Sequence, residues 1–373
     1  MTKRQVEILL TLHYITCVLP AILSGRFREF IAPTMTDHTK TNLITLTRHV
    51  LSDQSLHHGA TGDFTLLLTS VQLACKFIAT SVGKAGLVHL TGLAGDVNVQ
   101  GEQVKKLDVL SNEIMINSLK SSGKAAVLVS EEDTEAIIVP AALRGHYCVV
   151  FDPLDGSSNI DAGVNVGTIF GIFHVKDPNG VPSLDDVLRP GTEMCAAGYA
   201  TYGASCNLVL TTGHGLNGYT LDPQIGEFIL THPDIQIPSR GKIYSVNEGN
   251  SMYWPPAVQH YVNSIKFPEG DNAKPYSARY IGSMVADVHR TLLYGGIFMY
   301  PADKKSKKGK LRVLYECFPM AMIVEQAGGK ASTGTSRMLE LTPQTIHERS
   351  PIYLGSRQDV EDVEDVKGVF EED

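Results

Sequence analysis

Tyr147–Ser158 reads YCVVFDPLDGSS, an apolar run that ends in two carboxylates, a glycine and two hydroxyls. The apolar run predicts a buried strand. Asp152 and Asp155, with a backbone carbonyl between them, offer the oxygen ligands that a hard cation such as Mg²⁺ prefers. A helix beginning at Gly156–Ser158 would favour a phosphate through its N-terminal amides and dipole. The segment therefore predicts metal-assisted phosphate chemistry, with an ordinary Asp-Pro-Gly turn as the plainer alternative.

Further carboxylates stand at the ends of other predicted elements. Ala125–Ser130 is a second short apolar strand, and Glu131-Glu132-Asp133 follows it directly. Because ligands bind beyond the carboxyl ends of strands in open α/β sheets, both strands would deliver acids to one place. Glu316 opens an apolar helix that ends at Gly328-Gly329, a helix-stop signal.

If these carboxylates converge, they need a counter-charge. The set comprises Asp108, Glu131, Glu132, Asp152, Asp155 and Glu316. Neighbouring carboxylates about 4 Å apart repel each other by about 4 kcal/mol at an effective dielectric constant of about 20. Two or more Mg²⁺ ions would keep such a cluster ionised. Mn²⁺, another divalent cation, could take the place of Mg²⁺.

Seven segments between about Asn42 and about Gly355 carry a family resemblance, in order and without large gaps. They are Lys105–Asn112, Val129–Glu132, Asp152–Asn159, Val166–Gly171, Asn247–Gly249, Ala278–Asp287 and Gly309–Glu316. The DPLDGS motif marks only the Mg²⁺-dependent, lithium-sensitive sugar and inositol phosphatase superfamily. The segment RYIGSMVADVH (Arg279–His289) is more specific, and with it the chain resembles the fructose-1,6-bisphosphatase family (class 1).

The resemblance implies an α/β protein with the five-layer αβαβα sugar phosphatase fold, built from two α/β domains. We expect residues 1–34 to be a leader or unstructured extension. Residues 35–233 would form an N-terminal metal- and AMP-binding domain, and residues 234–373 a C-terminal substrate-binding domain. The segment from Gly92 to Gln103 is rich in glycine, and we interpret it as a mobile loop.

The resemblance also implies an activity, the hydrolysis of the 1-phosphate of D-fructose 1,6-bisphosphate to D-fructose 6-phosphate and phosphate in gluconeogenesis. The metal ligands would be the Leu154 carbonyl and four carboxylates, those of Glu131, Asp152, Asp155 and Glu316. Glu132 and Asp108 would orient or deprotonate the attacking water, helped by Glu102, which stands where many relatives carry Asp.

Substrate contacts follow from the same resemblance. The 1-phosphate would lie on the metals and on the backbone amides of Gly156, Ser157 and Ser158. The residues matching the 6-phosphate site are Asn247, Tyr280, Tyr300 and Lys310. Arg279 would reach across from a neighbouring subunit of a homotetramer, and Met284 would pack against the sugar. The basic run from Lys304 leads into Lys310 and Arg312, and a cationic loop suits an anionic sugar phosphate.

Many members of the family are inhibited by AMP, and the start of the predicted helix near residue 62 resembles that site. The matching residues are Thr61, Gly62, Asp63, Thr65 and Tyr147. His146 and His174 stand where relatives often carry Lys and Arg. Because a neutral histidine attracts a phosphate less than a fixed cation does, the strength of AMP inhibition stays open.

Composition excludes several functional classes. The 373 residues are 43% hydrophobic and 19% charged, which is typical of globular proteins. The net charge of −8 and the lack of a large basic block argue against a nucleic-acid partner. Six cysteines show neither disulfide nor zinc-ligand spacing, which favours a reducing, cytoplasmic location. An apolar stretch, Ile8–Leu23, resembles part of a signal peptide but is shorter than the ~20 residues that span a bilayer.

Two other functions remain as alternatives. One is a phosphatase of a neighbouring substrate, such as sedoheptulose 1,7-bisphosphate or an inositol phosphate. Inositol phosphates lack the distal group that Arg279, Tyr280 and Lys310 would bind. The other is a sugar-phosphate-binding regulatory protein without catalysis, against which the complete set of carboxylates argues.

Overall fold

Two neighbouring strands of the larger sheet are buried along their whole length. They are β3 (Ala125–Ser130) and β5 (Tyr147–Asp155), and each of their residues is buried. They pair in parallel, from Ala125 opposite Tyr147 to Ser130 opposite Phe151. Continuous apolar runs of this kind are typical of strands that are covered on both faces.

The computed structural model describes residues 42–55, 60–85, 87, 93–97, 103–270 and 273–371. Its α-helices are α1 (Leu46–Gln54), α2 (Asp63–Lys84), α3 (Lys106–Ser121), α4 (Pro256–Lys266), α5 (Met284–Tyr294), α6 (Phe318–Gln326) and α7 (Arg357–Glu371). The predicted leader at residues 1–34 and the predicted catalytic residue Glu102 lie outside the described residues.

The strands form two main sheets and two small ribbons. The remaining strands are β1 (Leu93–Val97), β2 (Gln103–Lys105), β4 (Ile137–Ile138), β6 (Val166–His174), β7 (Ala196–Tyr202), β8 (Cys206–Thr211), β9 (Asn217–Asp222), β10 (Glu227–His232), β11 (Ile243–Ser245), β12 (Ser277–Ala278), β13 (Ile297–Tyr300), β14 (Leu311–Arg312), β15 (Lys330–Ser332), β16 (Arg349–Ser350) and β17 (Ile352–Gly355). The larger sheet has the order β10-β9-β8-β7-β6-β5-β3-β4, and the smaller has the order β12-β11-β13-β17-β15.

Three apolar cores show how helices and sheets alternate. One core joins α2 and α3 to one face of the larger sheet, with Leu67 and Phe151 among its members. A second lies between the two sheets and contains α5 and α6, through residues such as Val285 and Ile323. A third covers the outer face of the smaller sheet with α4 and α7. The layers therefore run helix, sheet, helix, sheet, helix, and the predicted αβαβα fold is confirmed.

Some local expectations need correction. The segment predicted as a mobile loop from Gly92 contains β1, which pairs antiparallel with β2. The helix predicted to start at Gly156 is a six-residue 3₁₀-helix, Ser157–Ala162. Glu316 lies within a short π-helix, Val313–Cys317, ahead of α6.

The predicted domain boundary at residue 234 falls between β10, a strand of the larger sheet, and β11, a strand of the smaller sheet. The division into two domains stays a prediction.

Candidate active site

The parallel pairing of β3 and β5 places two acidic segments side by side. Glu131 follows the last residue of β3, and its backbone N–H donates to the Phe151 carbonyl at 3.1 Å. Asp152 and Asp155 lie in the C-terminal part of β5, of which Asp155 is the last residue. Glu316 enters from the π-helix, a distortion that is frequent at functional sites. The acids that sequence analysis placed at strand and helix ends therefore meet at one edge of the sheet.

Three of these carboxylates form a compact, buried group. One carboxylate oxygen each from Asp152, Asp155 and Glu316 lies within 4.8 Å of the other two. Backbone and hydroxyl donors fix them in place: Leu154 N–H donates to Asp152 Oδ1 at 2.9 Å, and Arg312 N–H donates to Glu316 Oε2 at 2.6 Å. Such an all-oxygen group has the donor chemistry of a hard divalent cation site.

Burial and mutual repulsion make the group unfavourable in its fully charged form. Burial, together with the neighbouring Glu131 carboxylate, raises the pKa of Asp155 to about 6 and that of Glu316 to about 8. The pKa of Asp152 lies well above its usual range for the same two reasons. A bound cation would reverse these shifts because it stabilises the ionised carboxylates.

We expect metal binding to release protons at about pH 7. The Glu316 carboxyl, with its pKa of about 8, must lose a proton before it can serve as a ligand. Metal affinity should therefore fall as the pH is lowered from about 8 to about 6, because protons compete for the raised carboxyls. Calorimetric titration in two buffers of different ionisation enthalpy counts the protons released. A count near zero at neutral pH would contradict this electrostatic picture.

Arg312 lies inside the acidic group rather than at its edge. Its side chain is 3% exposed, and Nη2 lies 2.9 Å from Glu131 Oε1. Its Nη1 lies 3.7 Å from Glu316 Oε2. Sequence analysis placed Arg312 among substrate contacts, and the structure also gives it ion pairs with two predicted metal ligands. The guanidinium thereby compensates part of the negative charge.

A cavity of about 530 Å³ opens over the carboxylates. The predicted residues that line it are Asp108, Glu131, Glu132, Asp152, Leu154, Asp155, Gly156, Ser157, Ser158, Tyr280, Met284, Tyr300, Lys310, Arg312 and Glu316. The cavity is therefore lined by the compact acidic group, and Lys310 and two tyrosines line it as well. Its size is within the range of small-molecule sites.

Asp108 lies at the start of α3 with its side chain 3% exposed. Its Oδ2 accepts a hydrogen bond from the Lys105 backbone N–H at 2.8 Å. Burial raises its pKa to about 6. A carboxyl with this pKa exchanges protons near neutral pH, which is the property required of a general base.

Gly156, in the DPLDGS motif, lies directly against Ser283, a residue of the C-terminal half of the chain. Its φ of +76° lies in the left-handed region, and a Cβ there would lie 2.6 Å from the Cβ of Ser283. Ser283 in turn donates to Asp155 Oδ2 at 3.0 Å, and Val285 N–H donates to the same oxygen at 2.8 Å. Only glycine allows this approach without displacing a group that holds Asp155.

Comparison with known proteins agrees with this geometry. The family model described as "Fructose-1-6-bisphosphatase, N-terminal domain" matches residues 44–233. The model for the C-terminal domain of the same family matches residues 237–368.

The chain belongs to the fructose-1,6-bisphosphatase family.

Named relatives and solved structures support the same assignment. The cytosolic fructose-1,6-bisphosphatase of Oryza coarctata is 63% identical over 334 residues, which is 90% of this chain and 96% of the relative. That of Solanum tuberosum is 63% identical over 327 residues, covering 88% of this chain and 96% of the relative. The crystal structure of Leishmania major fructose-1,6-bisphosphatase in holo form has a TM-score of 0.83 and 48% identity, covering 88% of this chain and 99% of that one.

Three family residues that sequence analysis named are not part of the cavity lining described above. Asn247 precedes a 3₁₀-helix, and its side chain accepts from Gly249 N–H at 3.1 Å. Arg279 is exposed and donates to the Ala278 carbonyl at 2.7 Å. Glu102 lies outside the described residues. Within one chain of this fructose-1,6-bisphosphatase family member, the described lining of the cavity therefore includes neither Asn247 nor Arg279.

Sequence reasoning also missed residues that line the cavity. They are Lys105, Gly282, Ser283, Asp287, Phe298 and Leu311. Five of them, all except Phe298, lie within the segments that carry the family resemblance, so the sequence already marked these stretches. Their roles were not visible there, because a serine such as Ser283 gains its function only from Asp155, which is 128 residues away.

The residues that resemble the family's AMP site line a second cavity, of about 290 Å³. All five of them, Thr61, Gly62, Asp63, Thr65 and Tyr147, are in its lining, and His174 joins them. The rings of Tyr147 and His174 lie 4.7 Å apart between centroids. The Asp63 carboxylate is 2.7 Å from Lys124 Nζ, which lowers the pKa of Asp63.

Proposed function

We propose that the chain is a metal-dependent phosphoric monoester hydrolase. It removes the 1-phosphate of D-fructose 1,6-bisphosphate and yields D-fructose 6-phosphate and phosphate, the reaction that serves gluconeogenesis. The observation that carries this proposal is the buried group of Asp152, Asp155 and Glu316 at one end of a cavity that Lys310 also lines. The names of its relatives agree with the cytosolic location expected from the sequence.

The donor set fits Mg²⁺, with Mn²⁺ as an alternative. Glu131, Asp152, Asp155, Glu316 and the Leu154 carbonyl would hold two or more such ions. When bound, the metals polarise the phosphoryl oxygens and lower the pKa of a ligated water. The same cations offset the repulsion among buried carboxylates that raises their pKa values.

The chain's own residues supply the remaining chemistry. Glu132 lines the cavity next to Glu131 and is only half-buried, so it can take a proton from the attacking water. Asp108, which also lines the cavity and has a pKa of about 6, would help to orient that water. The backbone amides at Gly156, Ser157 and Ser158 hold the 1-phosphate beside Asp155.

The distal part of the cavity would bind the 6-phosphate. Tyr280, Tyr300 and Lys310 line it together, and Met284, buried to 4% exposure, offers an apolar surface to the sugar. Arg279 is exposed, as an arginine that reaches into a neighbouring subunit must be. By the family resemblance, Asn247 would also contact the distal phosphate, although it is absent from the cavity lining described above.

Phosphate release tests the function directly. We expect release from fructose 1,6-bisphosphate with Mg²⁺ and none without a divalent ion. Faster release from sedoheptulose 1,7-bisphosphate or from an inositol phosphate would favour the neighbouring-substrate alternative. Binding of the bisphosphate without any turnover would favour the non-catalytic regulatory protein.

Replacing Lys310 by Ala should mainly weaken binding of the bisphosphate. A charge-assisted contact to phosphate is worth about 1.5–3 kcal/mol, so the KM and the product inhibition constant should rise roughly 10- to 100-fold, with a smaller change in kcat. Lys308→Ala is the matched control, because Lys308 is exposed on the same loop and is absent from the cavity lining described above. Unchanged constants for Lys310→Ala would place the 6-phosphate elsewhere.

Two regulatory properties of the family extend this proposal. AMP would bind in the second cavity at the start of α2, where Thr61, Thr65 and the backbone at Gly62 face it. A homotetramer would cover the exposed apolar face of α2, on which Leu66, Leu73 and Phe77 are each more than half exposed. Light scattering of the full chain and calorimetric titration with AMP test these two points.

A further inference from the structure

The loop after β3, which carries Glu131, Glu132 and Asp133, is held from helix α3. Ser130 Oγ donates to Asn112 Oδ1 at 2.7 Å, and Asn112 Nδ2 donates to Asp133 Oδ1 at 3.2 Å. The Glu132 backbone N–H donates to Ser130 Oγ at 3.2 Å. One side of the loop is therefore fixed by the same helix that carries Asp108.

The other side of the loop is held by His347. Its Nε2 lies 3.0 Å from the Asp133 carbonyl oxygen, and its Nδ1 lies 2.8 Å from Tyr315 Oη. A carbonyl oxygen can only accept, so Nε2 carries the proton. Nδ1 is then the acceptor, and the Tyr315 hydroxyl donates to it. Burial lowers the pKa of His347, which is consistent with this neutral form.

Tyr315 connects this contact to the metal ligands. It is fully buried and directly precedes Glu316 in the π-helix. The segment that carries His347 also fixes the start of the π-helix, since Val313 N–H donates to the Glu348 carbonyl at 2.7 Å. The next residue, Arg349, pairs with Arg312 across β14 and β16. His347 thus spans the two segments that bring Glu131, Glu132 and Glu316 together.

We propose that His347 is a positioning residue that sets the placement of the Glu131–Asp133 loop relative to Glu316 through its hydrogen bonds to Asp133 and Tyr315. His347 is not among the residues that line the 530 Å³ cavity. The proposal rests on the proposed function in so far as it concerns turnover. Partners of metal ligands commonly contribute 10- to 100-fold to metal affinity or activity.

A second tyrosine–histidine pair provides a matched control. Tyr199 Oη lies 2.7 Å from His289 Nδ1, and the ring centroids are 5.8 Å apart at 84°. The Tyr315–His347 rings are also 5.8 Å apart, at 72°. Neither Tyr199 nor His289 lines the 530 Å³ cavity. Loss of either pair should cost the fold a similar amount, whereas only one pair touches the acidic loop.

The experiment compares Tyr315→Phe, His347→Ala and His347→Gln with Tyr199→Phe and His289→Ala in the full chain. Metal affinity is measured by calorimetry with Mg²⁺ on metal-free protein, and kcat and KM are measured with the bisphosphate. For Tyr315→Phe and His347→Ala we expect metal affinity and kcat to fall about 10- to 100-fold with little change in KM. His347→Gln, which keeps a donor for the Asp133 carbonyl, should recover part of the loss. The Tyr199 and His289 variants should keep wild-type metal affinity and kcat.

The proposal is overturned if His347→Ala and Tyr315→Phe keep wild-type metal affinity, or if the control pair loses as much. Tyr315→Phe removes only a hydroxyl, so it decides the question even if His347→Ala does not fold. Nitrogen-15 spectra of the histidines give an independent result, since the Nε2–H tautomer is expected for His347. If the wild type binds Mg²⁺ without hydrolysing the bisphosphate, the proposed function fails, and the metal titration still decides the role of His347.

Discussion

Replacing Asp155 by Asn is expected to reduce turnover at least about a thousandfold, which corresponds to about 4 kcal/mol of transition-state stabilisation. The amide has the shape of the carboxylate and can still accept from Ser283 Oγ and Val285 N–H, the two donors that hold Asp155 Oδ2. What it lacks is the negative charge and the second ligand oxygen. The expected loss is therefore one of metal binding rather than of folding.

Thermal unfolding separates these two effects. Without metal, Asp155→Asn should be as stable as the wild type or more stable, because Asp155 is buried beside Asp152 and Glu131 and its carboxyl is costly to ionise. With Mg²⁺, the wild type should gain stability by mass action, and the variant should gain much less. Asp359→Asn is the control, since Asp359, near the start of α7, is also buried but accepts hydrogen bonds from Gly241 N–H and Tyr276 Oη. A normal metal-induced shift in Asp155→Asn would remove Asp155 from the metal site.

Replacing Glu132 by Gln is expected to lower kcat by about 10²- to 10⁴-fold, with KM and metal affinity nearly unchanged. The amide keeps the size of the side chain and leaves the backbone bond from Glu132 N–H to Ser130 Oγ intact, but it cannot accept a proton. An interaction that acts only in the transition state lowers kcat and kcat/KM together.

Steady-state kinetics with Glu135→Gln as the control test this role. Glu135 is exposed on the same loop, three residues further along, so the control removes an equal charge without touching the cavity. We expect its kcat and KM to match the wild type. A rise in KM at constant kcat in Glu132→Gln would instead make Glu132 a substrate contact.

The residues of the acidic group were accessible from the sequence, because each follows an element with a strong local signal. β3 and β5 are continuous apolar runs, and the acids come directly after them or at their ends. Once two such strands are taken as parallel neighbours, their carboxyl ends must meet. The family resemblance then supplied further residues of the cavity, including Tyr300 and Lys310.

The shape of the backbone around those residues was less accessible. The chain at Gly156 enters a 3₁₀-helix rather than an α-helix, and Glu316 lies in a π-helix. The 3₁₀-helix and the π-helix both depend on contacts with distant segments, such as the approach of Gly156 to Ser283. The spacing of apolar residues in the sequence does not distinguish a 3₁₀-helix or a π-helix from an α-helix.

The sequence by itself determined the acidic segments and their likeness to a sugar bisphosphatase, and through that likeness the expected layer order, because apolar runs and motifs are contiguous in the chain. Only the tertiary structure decided that Arg312 is buried between Glu131 and Glu316, that Ser283 holds Asp155, and that His347 joins Tyr315 to Asp133. The physical reason is that each of these contacts is a side-chain hydrogen bond or ion pair set by packing. The contacts of Ser283 with Asp155, of His347 with Asp133 and of Arg312 with Glu131 each join segments that are far apart in the chain. Such contacts leave no periodic or compositional mark on the sequence near either partner.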